Sequence, residues 1–182
     1  MTEGVDFNDL LAQMGPEKLG NAMKEHIRPM PVGGKQFKQH RDYGKVLTGM
    51  WTGERTAAFA GLSPPAKLVA LYLISAPHAN MLGLYRLPLA YVAADTGLTS
   101  TETQDAMNEL SEAELVSYSA DRQFIWVRYF IPTQVLGDDG CLNPLDNKSV
   151  HAQRVFESLA GAPFRNDLLE AYGQALNLRS LQ

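Results

Sequence analysis

The sequence predicts a mainly α-helical α+β fold, a three-helix core followed by one small β-hairpin, with helical extensions at both ends. Three observations in residues 62–130 carry this expectation. Apolar residues recur at helical spacing in successive stretches. The second and third helices are separated only by Gly97, Leu98 and Thr99. Behind the third helix, "ELVSYSADRQFIWVRYF" supplies two β-rich runs with a polar turn from Ser119 to Gln123 between them.

Taken in order, residues 1–28 form a helical N-terminal segment. "DFNDLLAQM" suits a short amphipathic helix that Gly15-Pro16 breaks, and Pro16 suits the first turn of "PEKLGNAMKEHI". Residues 29–50 read as a basic linker or arm. "RPMPVGGKQ" holds two prolines and two glycines, and "KQFKQHRDYGK" clusters Lys35, Lys38, Arg41 and Lys45 around Phe37 and Tyr43. In the core, residues 51–130, Ser63 before Pro64-Pro65 is a helix start. "AKLVALYLISA" is apolar on nearly every face, so this helix is expected at the domain centre. Pro77 ends it, "MLGLYRL" reads as a short strand, and Pro88 opens "PLAYVAADTG". Leu89, Val92, Ala93 and Thr96 give that helix one apolar face, and Gly97 is its C-terminal cap. Thr99 with Glu102 three residues on is a capping box, and Thr103, Ala106, Met107 and Leu110 form the buried stripe of the third helix. Tyr118, Phe124, Trp126, Tyr129 and Phe130 suit a small packed sheet. Residues 131–182 form a helical extension: a loop, "GDDGCLNPLDNK", then helices over "SVHAQRVFESLAG" and "PFRNDLLEAYGQALNL", expected to pack on the domain or to bind a partner. Helix, strand, helix, helix, strand, strand is the winged helix-turn-helix arrangement.

Composition narrows the function classes. The 182 residues are 45% hydrophobic, ordinary for a globular core. No apolar run approaches 18 residues, so no membrane association is expected. "MTEGVDFNDL" lacks an apolar signal region, and Cys141 is the only cysteine, which points to the cytoplasm. Net charge is −4, unlike most dedicated nucleic-acid binders. It is unevenly spread: residues 1–61 hold eight Lys/Arg against seven Asp/Glu, residues 62–130 four against seven, and residues 131–182 four against six. No phosphate-binding loop or nucleophile elbow occurs, and His26, His40, His78 and His151 lie far apart. No catalysis, metal or cofactor is expected. His78 reads as a hydrogen-bonded turn residue, and Trp51 and Trp126 as core aromatics.

"GLSPPAKLVALYLISAPHANMLGLYRLPLAYVAADTGL" resembles the winged-helix region of phage and prophage replication-initiation (replisome organiser-like) proteins. The cues are Ser63 and Ala66-Lys67 before a Leu/Tyr-rich helix, Pro77-His78 with Asn80, Gly83-Leu84-Tyr85 before Pro88, and Asp95-Thr96-Gly97. Trp51 upstream and "NPLDNKSV" downstream extend the likeness over roughly residues 51–172. The resemblance implies binding of phage origin DNA in a bacterial host and recruitment of the host helicase machinery. The acidic third helix departs from it.

That helix, within "LTSTETQDAMNELSEAEL", holds no Lys or Arg. With its stripe buried, Thr101, Asp105, Asn108 and Glu112 point outward, flanked by Gln104 and Glu109. Thr101, Gln104 and Asn108 could read base edges, but Asp105, Glu109 and Glu112 would meet phosphates. A like-charge pair at 4 Å costs about 1 kcal/mol in water and about 4 kcal/mol near a partly desolvated interface. A solvated face and a partner-binding face formed by Thr101, Gln104, Asp105, Asn108 and Glu112 therefore stand beside base reading. Phosphate contacts fall instead to Lys35, Lys38, Arg41, Lys45, Arg86 at the end of the first strand and Arg122 at the wing tip. The leading reading is a non-catalytic, replication-type protein that binds duplex DNA and recruits a host or phage replication protein. The alternative is an acidic module that binds, and inhibits, a host protein without touching DNA.

Overall fold

A computed structural model describes residues 43–52, 57–136 and 140–179. The two expected N-terminal helices, and Lys35, Lys38 and Arg41, lie outside the described residues. The elements run α1 (Gly49–Thr52), α2 (Ala57–Ala60), α3 (Pro64–Ser75), β1 (Leu84–Arg86), α4 (Leu89–Thr96), α5 (Ser100–Glu112), β2 (Val116–Ser119), β3 (Phe124–Val127), one π-helical turn (Ile131–Val135), α6 (Asn147–Ser158) and α7 (Arg165–Leu176). This is an α+β fold.

Local chemistry sets the helix ends. The Ser63 hydroxyl accepts from the Ala66 N–H, and prolines occupy the first two positions of α3, where a missing N–H costs nothing. Gly97 closes α4 in the left-handed region, φ 76°, and donates its N–H to the Ala93 carbonyl. At α5, Thr99 and Glu102 form the reciprocal capping box read from the sequence. Thr103, Ala106, Met107 and Leu110 are its buried residues.

Helix α3 is not buried all round as expected. Ala66, Val69, Ala70, Leu73 and Ile74 face the core, while Leu68 is 42% exposed. Two buried tyrosines anchor it: Tyr129 donates to the Ala70 carbonyl at 2.6 Å and Tyr85 to the Leu73 carbonyl at 2.7 Å. The second satisfies a carbonyl of the last turn, which has no partner within the helix. Burial pushes the Tyr129 phenol far above its ordinary pKa, so it stays a neutral donor.

The three strands form an antiparallel sheet in the order β1-β3-β2. Leu84 pairs with Trp126, Tyr85 with Ile125 and Val116 with Val127. Alternation sends these residues to opposite faces. Tyr85, Val116, Ile125 and Val127 join the core built on α3, α4 and α5. Leu84 and Trp126 join a second core with Leu142, Ala152, Phe156, Leu168 and Leu176. Residues on either side of position 130 thus share this second core. The sheet aromatics divide in the same way: Tyr118, Tyr129 and Phe130 go to the first core, Trp126 and Phe124 to the second.

Glutamine amides hold both flanks. Gln134 accepts from the Lys45 N–H at 2.7 Å and donates to its carbonyl at 2.8 Å. Gln153 does the same to Arg179, at 2.8 and 3.2 Å. The stretch around Lys45 is therefore pinned, although the sequence reading assigned it to a linker. At Gly44, an added Cβ would lie 2.6 Å from the Ile74 carbonyl oxygen, so only glycine allows this close approach to the end of α3.

Candidate nucleic-acid and partner interface

Thr101, Gln104, Asp105, Asn108 and Glu112 all lie on the exposed face of α5. Gln104 donates to the Asn108 side chain at 3.0 Å, so these two amides form one unit along the face.

The acids of this helix divide into two kinds. Glu102 accepts from the Thr99 N–H at 2.9 Å and from its hydroxyl at 2.7 Å. Glu109 accepts from the Ser63 N–H and the Ser63 hydroxyl, both at 2.6 Å, and so caps α3 from across the domain. These bonds favour the charged carboxylates and hold both pKa values below the ordinary glutamate range, the Thr99 N–H leading at Glu102 and the Ser63 hydroxyl at Glu109. Both negative charges are thus partly answered by the protein's own donors. On the outward face only Asp105 and Glu112 remain as acids with a free run to solvent. The Ser63–Glu109 bridge was missed by sequence reasoning. Ser63 was legible as a cap, but nothing local marks a partner 46 residues away.

Arg86 and Arg122 are brought to one end of the sheet. Arg86 pairs in register with Phe124 and donates to the Gln123 side chain at 2.9 Å. Gln123 adjoins Arg122, which donates to the Gly161 carbonyl at 3.0 Å, in the turn between α6 and α7. The hairpin tip is therefore tied to the C-terminal helices. The Arg122 side chain remains 60% exposed, and Asp121 approaches it at 3.8 Å. Arg128 takes no part in this end: it donates to the Ser117 hydroxyl and lies 4.7 Å over the Trp126 ring. Lys45 keeps an exposed side chain beside its Gln134 tie.

The two tryptophans, both expected in the core, part company. Trp51 is 52% exposed rather than a core aromatic, its ring set edge-on against Phe59 at 5.3 Å. Trp126 is 3% exposed and belongs to the core. His78 is exposed and stacks on Tyr91 at 5.5 Å. His78 lies in the turn as expected, and the side-chain hydrogen bonds after it are made by Asn80, which donates to the Leu84 carbonyl at 2.6 Å and accepts from the Leu82 N–H at 2.9 Å. Among the described residues no three His, Cys, Asp or Glu side chains gather as metal ligands, and no helix is long and apolar enough to cross a membrane. The chain matches no family model, no curated protein and no solved structure.

Proposed function

We propose that this chain is a winged-helix protein of the phage or prophage replication type, acting without chemistry in a bacterial cytoplasm. It binds duplex DNA through phosphate contacts and presents α5 to a replication protein. The observation that carries this reading is the placement of Arg86 and Arg122 at one end of the sheet, in a fold where the outward face of α5 is exposed. The element order and the short Gly97–Thr99 connection support the winged-helix assignment. Two arginines position a duplex but specify no sequence. The diversion of Glu102 and Glu109 into caps lowers the repulsion that the four acids of α5 would bring.

A salt titration of duplex binding tests this. Contacts from Lys35, Lys38, Arg41, Arg86 and Arg122 give a log-log slope of about −4, at roughly 0.9 per phosphate. Changing Lys38 and Arg41 to alanine lowers it by about two. Absence of binding at low salt would favour the second reading, an acidic module for a host protein without a DNA role. A specific observation supports that reading too: the Arg122 guanidinium already has the Gly161 carbonyl, while Asp105 and Glu112 face outward. The variant Asp105→Asn with Glu112→Gln separates the two. Tighter duplex binding at low salt places α5 near phosphates; unchanged DNA binding with loss of a purified replication partner makes it a protein contact.

A further inference from the structure

We propose that the cavity at the seam between the two cores binds a small amphipathic anion, a carboxylate on an aromatic or aliphatic body. The cavity is an open cleft of about 400 Å³, and its lining includes Met81, Phe130, Gln134, Val135, Lys148 and His151. Its volume lies within the usual range for small-molecule sites, roughly 300–1,000 Å³. Phe130 belongs to the first core, Met81 packs on the second, and Val135 touches both. These three give an apolar floor, in which the unbranched methionine adapts to an irregular body.

The rim differs in kind. Lys148 and His151 are exposed on the first two turns of α6 and look over the apolar floor. Asp146 already caps α6 by accepting from the Lys148 N–H at 3.2 Å, so the helix amides are not the anion's partner. The partner is the Lys148 ammonium, a mobile point charge on a long stem. The wall is pre-formed, because Gln134 is fixed through both bonds to Lys45. A neutral body gains only the floor; a carboxylate gains the floor and the ammonium together.

The test uses the full chain without DNA, so its outcome is independent of the duplex-binding reading. Phenylpropionate and its uncharged amide are titrated while the Met81 methyl resonance is followed. The carboxylate saturates one site, shifts Met81 and binds more tightly than the amide. Lys148→Met, at an exposed position, weakens the carboxylate about tenfold and leaves the amide unchanged. Val135→Phe fills the cavity and removes both ligands while the thermal melt stays near that of the parent. Equal affinities for acid and amide, an unaltered carboxylate affinity in Lys148→Met, or no Met81 shift at millimolar ligand would each overturn the proposal.

Discussion

The two faces of the β1-β3-β2 sheet are covered by helices in different ways. On the face toward α3, α4 and α5, apolar packing is laced with side-chain-to-backbone hydrogen bonds. Ser63, Thr99, Glu102 and Glu109 hold helix N-termini, and Tyr85 and Tyr129 hold α3 carbonyls. On the face toward α6 and α7, Leu84 and Trp126 meet Phe156, Leu168 and Leu176. The interior there is almost wholly apolar, and the buried Trp126 indole N–H has no acceptor among the described residues. Polar ties sit at its margin instead: Arg122 to Gly161, Tyr172 to the Arg128 carbonyl, Asn177 to the Leu142 carbonyl. A face with capping bonds is specified element by element. A face held mainly by burial is specified by shape and volume, because the hydrophobic effect has no direction.

The sharpest way to break this comparison is Phe156→Ala. Phe156 is fully buried under the sheet, its carbonyl accepts from Arg165, and the Arg165 guanidinium lies 3.9 Å over its ring. Truncation costs about 3–5 kcal/mol. Thermal unfolding followed by far-UV circular dichroism and by tryptophan fluorescence stays a single transition at lower temperature. Two separated transitions would mean that α6 and α7 are an independent appendage.

Next comes Gly83→Ala. Gly83 holds φ 65° where β1 begins, and an added Cβ would lie 2.5 Å from the Phe130 Cβ. Strain and overpacking together cost roughly 3 kcal/mol. This substitution strikes both faces, since Leu82 and Leu84 point to one core and Phe130 to the other. A urea midpoint unchanged from the parent would contradict the close approach.

Ser63→Ala removes the cap of α3 and the hydroxyl donor to Glu109, leaving the backbone N–H donor in place, at a cost of about 1–2 kcal/mol. The Ser63–Glu109 bridge also carries a pH signature. The Glu109 pKa is depressed in the folded state, so its contribution is full above the unfolded glutamate value and fades as pH falls through the lower folded one. Ser63→Ala therefore partly flattens the acid limb of the stability profile, and an unaltered limb would contradict the hydroxyl bond to Glu109. Asp105→Asn with Glu112→Gln is the smallest change, within about 0.5 kcal/mol in a chemical denaturation, because both side chains face solvent.

The sequence by itself determined the elements whose causes are local. Ser63 with its prolines, Gly97, and the Thr99–Glu102 box mark helix ends within four residues, and the stripe from Thr103 to Leu110 marks the buried side of α5. The helix–strand order from α3 to β3 followed from the same signals. Tertiary structure decided what depended on distant partners. A capping glutamate 46 residues from Ser63, the tie of the hairpin tip to Gly161, and the use of both sheet faces leave no periodic trace. "FIWV" alternates between two apolar faces and so reads as a continuous apolar run, with no sign of which helices cover each side. The exposure of Trp51 was equally illegible, since an aromatic ring beside a short helix packs or protrudes according to what the rest of the chain brings to it. Local propensity is written in neighbouring residues; burial and pairing are set by the whole folded chain, because they depend on which surfaces meet.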